Sequence, residues 1–181
     1  MRLFFRKAVG WIFFTYSFIS VSSVIAQENL IVVSFSDATL AFYSGDILMA
    51  EFPVVVPYPA EEPPKLPVHG IVKRVEKNPL WYPTKRTQDV FFEKRKIVLP
   101  KVVKFDNPLN PLGTIKIVID WHNPNKPTAR IHGTNEPALF SLPPEKRHRS
   151  GGCIRLLNED AEKLATLIQS SSDAVHVLYV R

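Results

Sequence analysis

Cys153 is the only cysteine in the 181-residue chain, and it sits directly after Ser150-Gly151-Gly152 and before the apolar Ile154 and Leu156. Upstream, His132 follows a strand-like Ala129-Arg130-Ile131 and precedes Gly133-Thr134. That spacing places the imidazole at a strand end, free to face a cleft. A thiol and an imidazole are the parts of nucleophilic catalysis: cysteine is mostly protonated near neutral pH and becomes an effective nucleophile when a base takes its proton. Gly151 and Gly152 leave the backbone unencumbered, so the Gly152 and Cys153 amides are able to converge on the oxyanion of a tetrahedral acyl intermediate. The competing reading is a buried structural cysteine, since a free thiol packs as a small hydrophobe.

The other histidines are weaker bases for this thiol. His148 is flanked by Lys146, Arg147 and Arg149 and reads as part of a solvated basic loop; His122 belongs to a turn with Asn123-Pro124, and His176 alternates within a terminal strand. Metal chemistry finds no support either. There is no C-x-x-C and no H-x-x-x-H spacing, so neither a metal nor another cofactor is expected.

His132-Gly133-Thr134, a spacer, and then Ser150-Gly151-Gly152-Cys153-Ile154-Arg155-Leu156 resemble the signature of the L,D-transpeptidases, the YkuD-domain enzymes of bacterial peptidoglycan. The family pattern is HGT followed by S-H-G-C or S-S-G-C and I/V-R-L. By that resemblance Cys153 is the acylated nucleophile, His132 the general base, and the Gly152 and Cys153 amides the oxyanion hole. Ser150 would orient His132 or the turn, and Arg155 would fix the loop or meet a substrate carboxylate. Gly151 departs from the pattern, standing where the family has His or Ser. Asn78-Pro79-Leu80-Trp81-Tyr82-Pro83-Thr84 and Asn110-Pro111-Leu112-Gly113 resemble two further family elements. The resemblance makes Trp81, Tyr82 and Asn110 substrate contacts; composition alone also fits a packed aromatic corner and a tight glycine turn.

The elements that must carry these residues read as mostly β. Leu30–Val33, Ala38–Tyr43 and Ile47–Val56 alternate as strands separated by Ser36-Asp37 and Ser44-Gly45-Asp46 turns, which predicts an antiparallel meander. Pro57–Pro67 is proline-dense and predicts an exposed loop. Further strands are expected over Ile71–Val75, Thr114–Ile119 and Ala174–Val180. Thr84 is expected to cap a helix from Arg86 to Lys96 with Val90, Phe91 and Ile97 on its inner side. Asn158 is expected to cap a second helix with Ala161, Leu164, Leu167 and Ile168 facing inward. The fold class is therefore mainly β with one or two α-helices, and the resemblance implies an L,D-transpeptidase-like β-sandwich.

Residues 1–26 combine Arg2, Arg6 and Lys7, the apolar stretch Ala8–Ile25 and a Val24-Ile25-Ala26 ending, which reads as a secretory signal peptide cleaved after Ala26. The alternative is an uncleaved membrane anchor, the stretch being long enough to span a bilayer. Residues 27–181 then form one catalytic domain. Loss of three basic and no acidic residues takes the formal charge from +6 to +3. A small positive surplus fits work beside an anionic wall, and no basic block with interleaved aromatics suggests nucleic acid. An unpaired thiol in an oxidising compartment favours reactivity or intermolecular pairing over a structural role. The resemblance implies an exported protein, in the periplasm of a Gram-negative bacterium, acting on peptidoglycan stem peptides through a cysteine thioester. The acceptor would be a stem amine, the lysine of an outer-membrane lipoprotein, a free D-amino acid or water, and carbapenems would be inhibitors. Two other readings stand beside it: an L,D-carboxypeptidase or hydrolase, and a non-catalytic wall-binding module of the same fold.

Overall fold

The computed structural model describes residues 28–58, 66–122 and 129–181. The leader read over residues 1–26 and most of the Pro57–Pro67 loop lie outside them. Among the described residues, the chain enters the fold through an antiparallel meander: β1 (Asn29–Ser34), β2 (Thr39–Ser44) and β3 (Ile47–Pro53) pair in order. β5 (Val68–Lys77) and β6 (Ile115–Trp121) form the other large antiparallel pair. The last strand, β10 (Val175–Val180), runs between the two units, parallel to β1 and antiparallel to β5.

The result is an eight-stranded mixed sheet in the order β3-β2-β1-β10-β5-β6-β7-β9, closed at its far edge by two short strands, β7 (Ile131–His132) and β9 (Ile154–Arg155). A second ladder pairs β4 (Val56–Pro57) with β8 (His148–Ser150) in parallel. His148 thus lies in a short, half-buried strand and not in the solvated loop expected from its basic neighbours. Pro57 can occupy β4 because proline lacks only the N–H, and the ladder here uses its neighbours: Val56 donates to Arg147 and Tyr58 donates to Ser150.

Strict alternation builds the core. Ile31 and Val33 of β1, Ile115, Ile117, Ile119 and Trp121 of β6, and Val175, Val177 and Tyr179 of β10 are all buried, at every second position. The helix α2 (Asn158–Ser170) lies on that face, burying Ala161, Leu164 and Ala165, with Leu167 and Ile168 partly buried against the same cluster. The other helix, α1 (Lys85–Arg95), starts where the sequence predicts, with the Thr84 hydroxyl accepting from the Thr87 N–H at 3.2 Å. Its expected inner side is not a core side. No residue of α1 is buried; Val90 is exposed, and Phe91 and the following Ile97 are only partly covered.

Candidate active site

The site forms at the sheet edge because β7 and β9 are parallel and in register. Ile131 pairs with Ile154 and His132 with Arg155, through Ile154 N–H to Arg130 O and Leu156 N–H to His132 O, each at 2.9 Å. Registered residues of neighbouring strands share a face, and side chains two apart along a strand do too. Cys153, two residues before Arg155, therefore projects to the face that carries His132. Both line one groove of about 670 Å³, together with Ser150, Gly151 and Arg155.

His132 is held in one tautomer. Its Nδ1 lies 2.6 Å from the Gly133 carbonyl oxygen, and because a carbonyl only accepts, Nδ1 must carry the hydrogen. Nε2 is then the unprotonated nitrogen, with its lone pair available as a base. Burial lowers the ring's pKa to about 4; the Gly133 carbonyl works against that shift, while the positive charges of Arg155, Lys116 and Arg130 add to it. The groove thus holds a neutral imidazole at rest, and Cys153 lines the same groove half-exposed.

The cysteine loop is a small bonded unit. The Ser150 hydroxyl donates to Cys153 O at 2.5 Å and accepts from the Gly152 N–H at 3.3 Å. Of the two roles offered for Ser150, the geometry gives it the turn. It also means that the Gly152 amide, expected to be free for an oxyanion, is engaged at rest. No hydrogen bond among the described residues engages the Cys153 N–H. Gly152 has φ +130°, which side-chain-bearing residues rarely adopt, whereas a Cβ built on Gly151 meets nothing within 4 Å.

Arg155 forms an ion pair with Glu136, Nη1 to Oε2 at 2.6 Å, tying the β9 strand to the segment that follows His-Gly-Thr. Trp81 lines the groove and packs tilted against Phe91 of α1 at 6.2 Å. Tyr82 is exposed and lies outside the groove lining. Asn110 is buried behind the wall and not on it: its amide donates to the carbonyls of Pro79, Val103 and Lys104 and accepts from the Leu112 N–H. It stitches the Trp81 segment to the proline turn, and it does not line the groove where the sequence reading expected a substrate contact.

Sequence reasoning named Asn158 only as the cap of α2 and missed its contact with the site; Leu157 holds the cap position, and no side chain caps the helix. Asn158 is the first residue of α2, and its side chain turns back toward the site. Oδ1 accepts from Thr134 N–H at 3.0 Å and Thr114 N–H at 3.4 Å, joining α2 to both the His-Gly-Thr loop and the Asn-Pro-Leu-Gly turn. A Cβ at Gly113 or Gly133 would come within 2.0 or 2.2 Å of that oxygen, which explains both glycines. Glu136 was also missed, because an acid in a loop has no sequence signal until its partner is placed.

The family sequence model described as the L,D-transpeptidase catalytic domain matches residues 28–177. The chain belongs to the L,D-transpeptidase catalytic-domain family. Solved structures agree on the fold. The catalytic domain of the Enterococcus faecium L,D-transpeptidase acylated by ertapenem superposes with TM-score 0.56 at 16% identity, over 84% of this chain and 97% of that one. An L,D-transpeptidase from Mycobacterium smegmatis gives 0.54 at 16%, over 83% of this chain and 58% of that one. A cysteine-to-serine mutant of the Enterococcus faecium L,D-transpeptidase gives 0.52 at 16%, over 83% and 49%. The chain therefore spans about half the length of some of these L,D-transpeptidases. No curated protein matches it.

Proposed function

We propose that this chain is a peptidoglycan L,D-transpeptidase that works through a cysteine thioester acyl-enzyme on tetrapeptide stems. The observation that carries the reading is the His132 tautomer, with Nδ1–H spent on Gly133 O and Nε2 left as a base on the face that Cys153 shares. In the first half-reaction Nε2 takes the thiol proton as Sγ attacks the carbonyl at the L-centre of meso-diaminopimelate. The oxyanion meets the Cys153 N–H, and the Gly152 N–H once it leaves Ser150. Collapse expels the terminal D-alanine, whose amine takes the proton from Nε2, and leaves a thioester. An acceptor amine then loses its proton to Nε2 as it attacks the thioester, and Cys153 departs and is reprotonated.

The acceptor defines the outcome: a second stem gives a 3-3 cross-link, a lipoprotein lysine a tether, a free D-amino acid an exchanged stem, and water a carboxypeptidase or hydrolase. The Enterococcus faecium domain acylated by ertapenem supports carbapenems as acylating inhibitors here. Export to a periplasm, with residues 1–26 as leader, belongs to the same proposal. The test is incubation with a tetrapeptide muropeptide and product analysis by mass. D-Alanine release that disappears in Cys153→Ala is expected, and the product mass names the acceptor; release that persists in Cys153→Ala would overturn the mechanism.

A second reading has a specific observation behind it. Gly151 brings no side chain to the groove, and the Gly152 amide is already bonded. Both fit a wall-binding module that kept the fold without the reaction, and a folded protein that binds muropeptide without releasing D-alanine would select it.

A further inference from the structure

The groove carries a charge imbalance that the cysteine chemistry does not use. Among the described residues, four cationic side chains line it, Lys94, Arg95, Arg149 and Arg155, against one carboxylate, Glu136. That carboxylate is already paired with Arg155. No ion pair among the described residues engages Lys94 or Arg95; the Arg95 guanidinium lies 4.9 Å from the Phe91 ring centroid, which orients it and leaves its N–H edges open.

The two come from α1, whose construction is unusual. The helix buries no residue, yet Thr87, Val90, Phe91, Lys94 and Arg95 all line the groove. Spacings of three and four put them on a single face. One helix face is thus an apolar step, Val90 and Phe91, leading to a cationic pair one turn further on. A helix that contributes nothing to the core and presents this face to the groove is suited to reading a ligand.

Resting on the proposed action on peptide stems, we infer that Lys94 and Arg95 of α1 recognise a free carboxylate of the stem, away from the bond that Cys153 breaks. A stem tetrapeptide offers such groups beside its reacting carbonyl, and amidation removes the charge with little change of shape. The substrate class is therefore the free-acid stem, with amidated stems discriminated against. A charge-assisted pair at a solvent-open groove corresponds to a preference of roughly tenfold.

The experiment compares kcat and KM for D-alanine release from a free-acid stem and its amidated counterpart, using wild type, Lys94→Gln/Arg95→Gln and Lys94→Glu/Arg95→Glu. Both positions are exposed, so the variants are expected to fold, and circular dichroism checks it. Wild type is expected to favour the free acid by about tenfold. The glutamine variant should lose that preference through a raised KM for the free acid, and the glutamate variant should favour the amidated stem. A wild type that turns over both stems equally, or variants that keep its preference, would overturn the clamp alone. A folded wild type that releases D-alanine from neither stem would overturn the underlying reaction, and the clamp with it.

Discussion

At the scale of single residues, the site depends on what His132 cannot do. A ring buried among Arg155, Lys116 and Arg130, with its pKa lowered to about 4, stays neutral through the range in which an ordinary histidine charges. Above its usual value of 6.5 the ring is neutral in both folded and unfolded chains. Between about 6.5 and 4 the unfolded chain binds a proton that the folded one refuses, so acidification through that window lowers stability, by roughly 3 kcal/mol in total. Urea unfolding of wild type and His132→Gln across this window should show a steeper acid loss in wild type; parallel curves would contradict the buried neutral ring. The neighbouring glycines differ from each other in a testable way. Gly151→His has open space and should change stability by less than about 0.5 kcal/mol, whereas Gly152→Ala, at φ +130°, should cost about 1–3 kcal/mol and slow acylation. Thermal melts and carbapenem acylation rates of the two variants check this, and equal melting losses would be the contrary result.

At the scale of elements, the sheet edge that carries His132 and Cys153 is assembled by short pieces that have little structure of their own. β7 and β9 are two residues each, and Asn158 pins α2 to the Thr134 N–H in the loop after β7 and the Thr114 N–H before β6. Asn158→Ala leaves the Thr134 and Thr114 N–H groups without their acceptor, at about 1–3 kcal/mol, and should lower the melting temperature by several degrees. Asn158→Asp keeps the acceptor and should recover most of the loss; an unchanged melting temperature in the alanine variant would show that the pin is idle. This also marks where the sequence was legible. The meander and the inward Ala161 and Leu164 of α2 follow from period, and α1 from its Thr84 cap, whereas the cap expected of Asn158 does not form. The β4–β8 ladder, the insertion of β10 between β1 and β5, and the turning of Asn158 toward the site are long-range pairings, which local propensity does not encode. α1 misled for a related reason: its Val90 and Phe91 carry the spacing of a core face but meet a groove.

At the scale of the whole molecule, one continuous sheet ties the groove to the rest of the fold. The C-terminal strand joins the opening meander to β5 and β6, and β6 positions β7, so the His132 strand rests on the whole core. From the sequence, Cys153, His132, the glycine turn and Trp81 could be named, while the charge and shape that α1 and the Glu136 loop give the groove could not. The proposed reaction requires that Cys153 take up an acyl group in this groove. Intact-mass measurement of the protein after incubation with a carbapenem tests it most directly. The expected result is one adduct on wild type, a much slower one on His132→Gln and none on Cys153→Ala. A folded wild type that stays at its own mass, or an adduct that survives in Cys153→Ala, would contradict it.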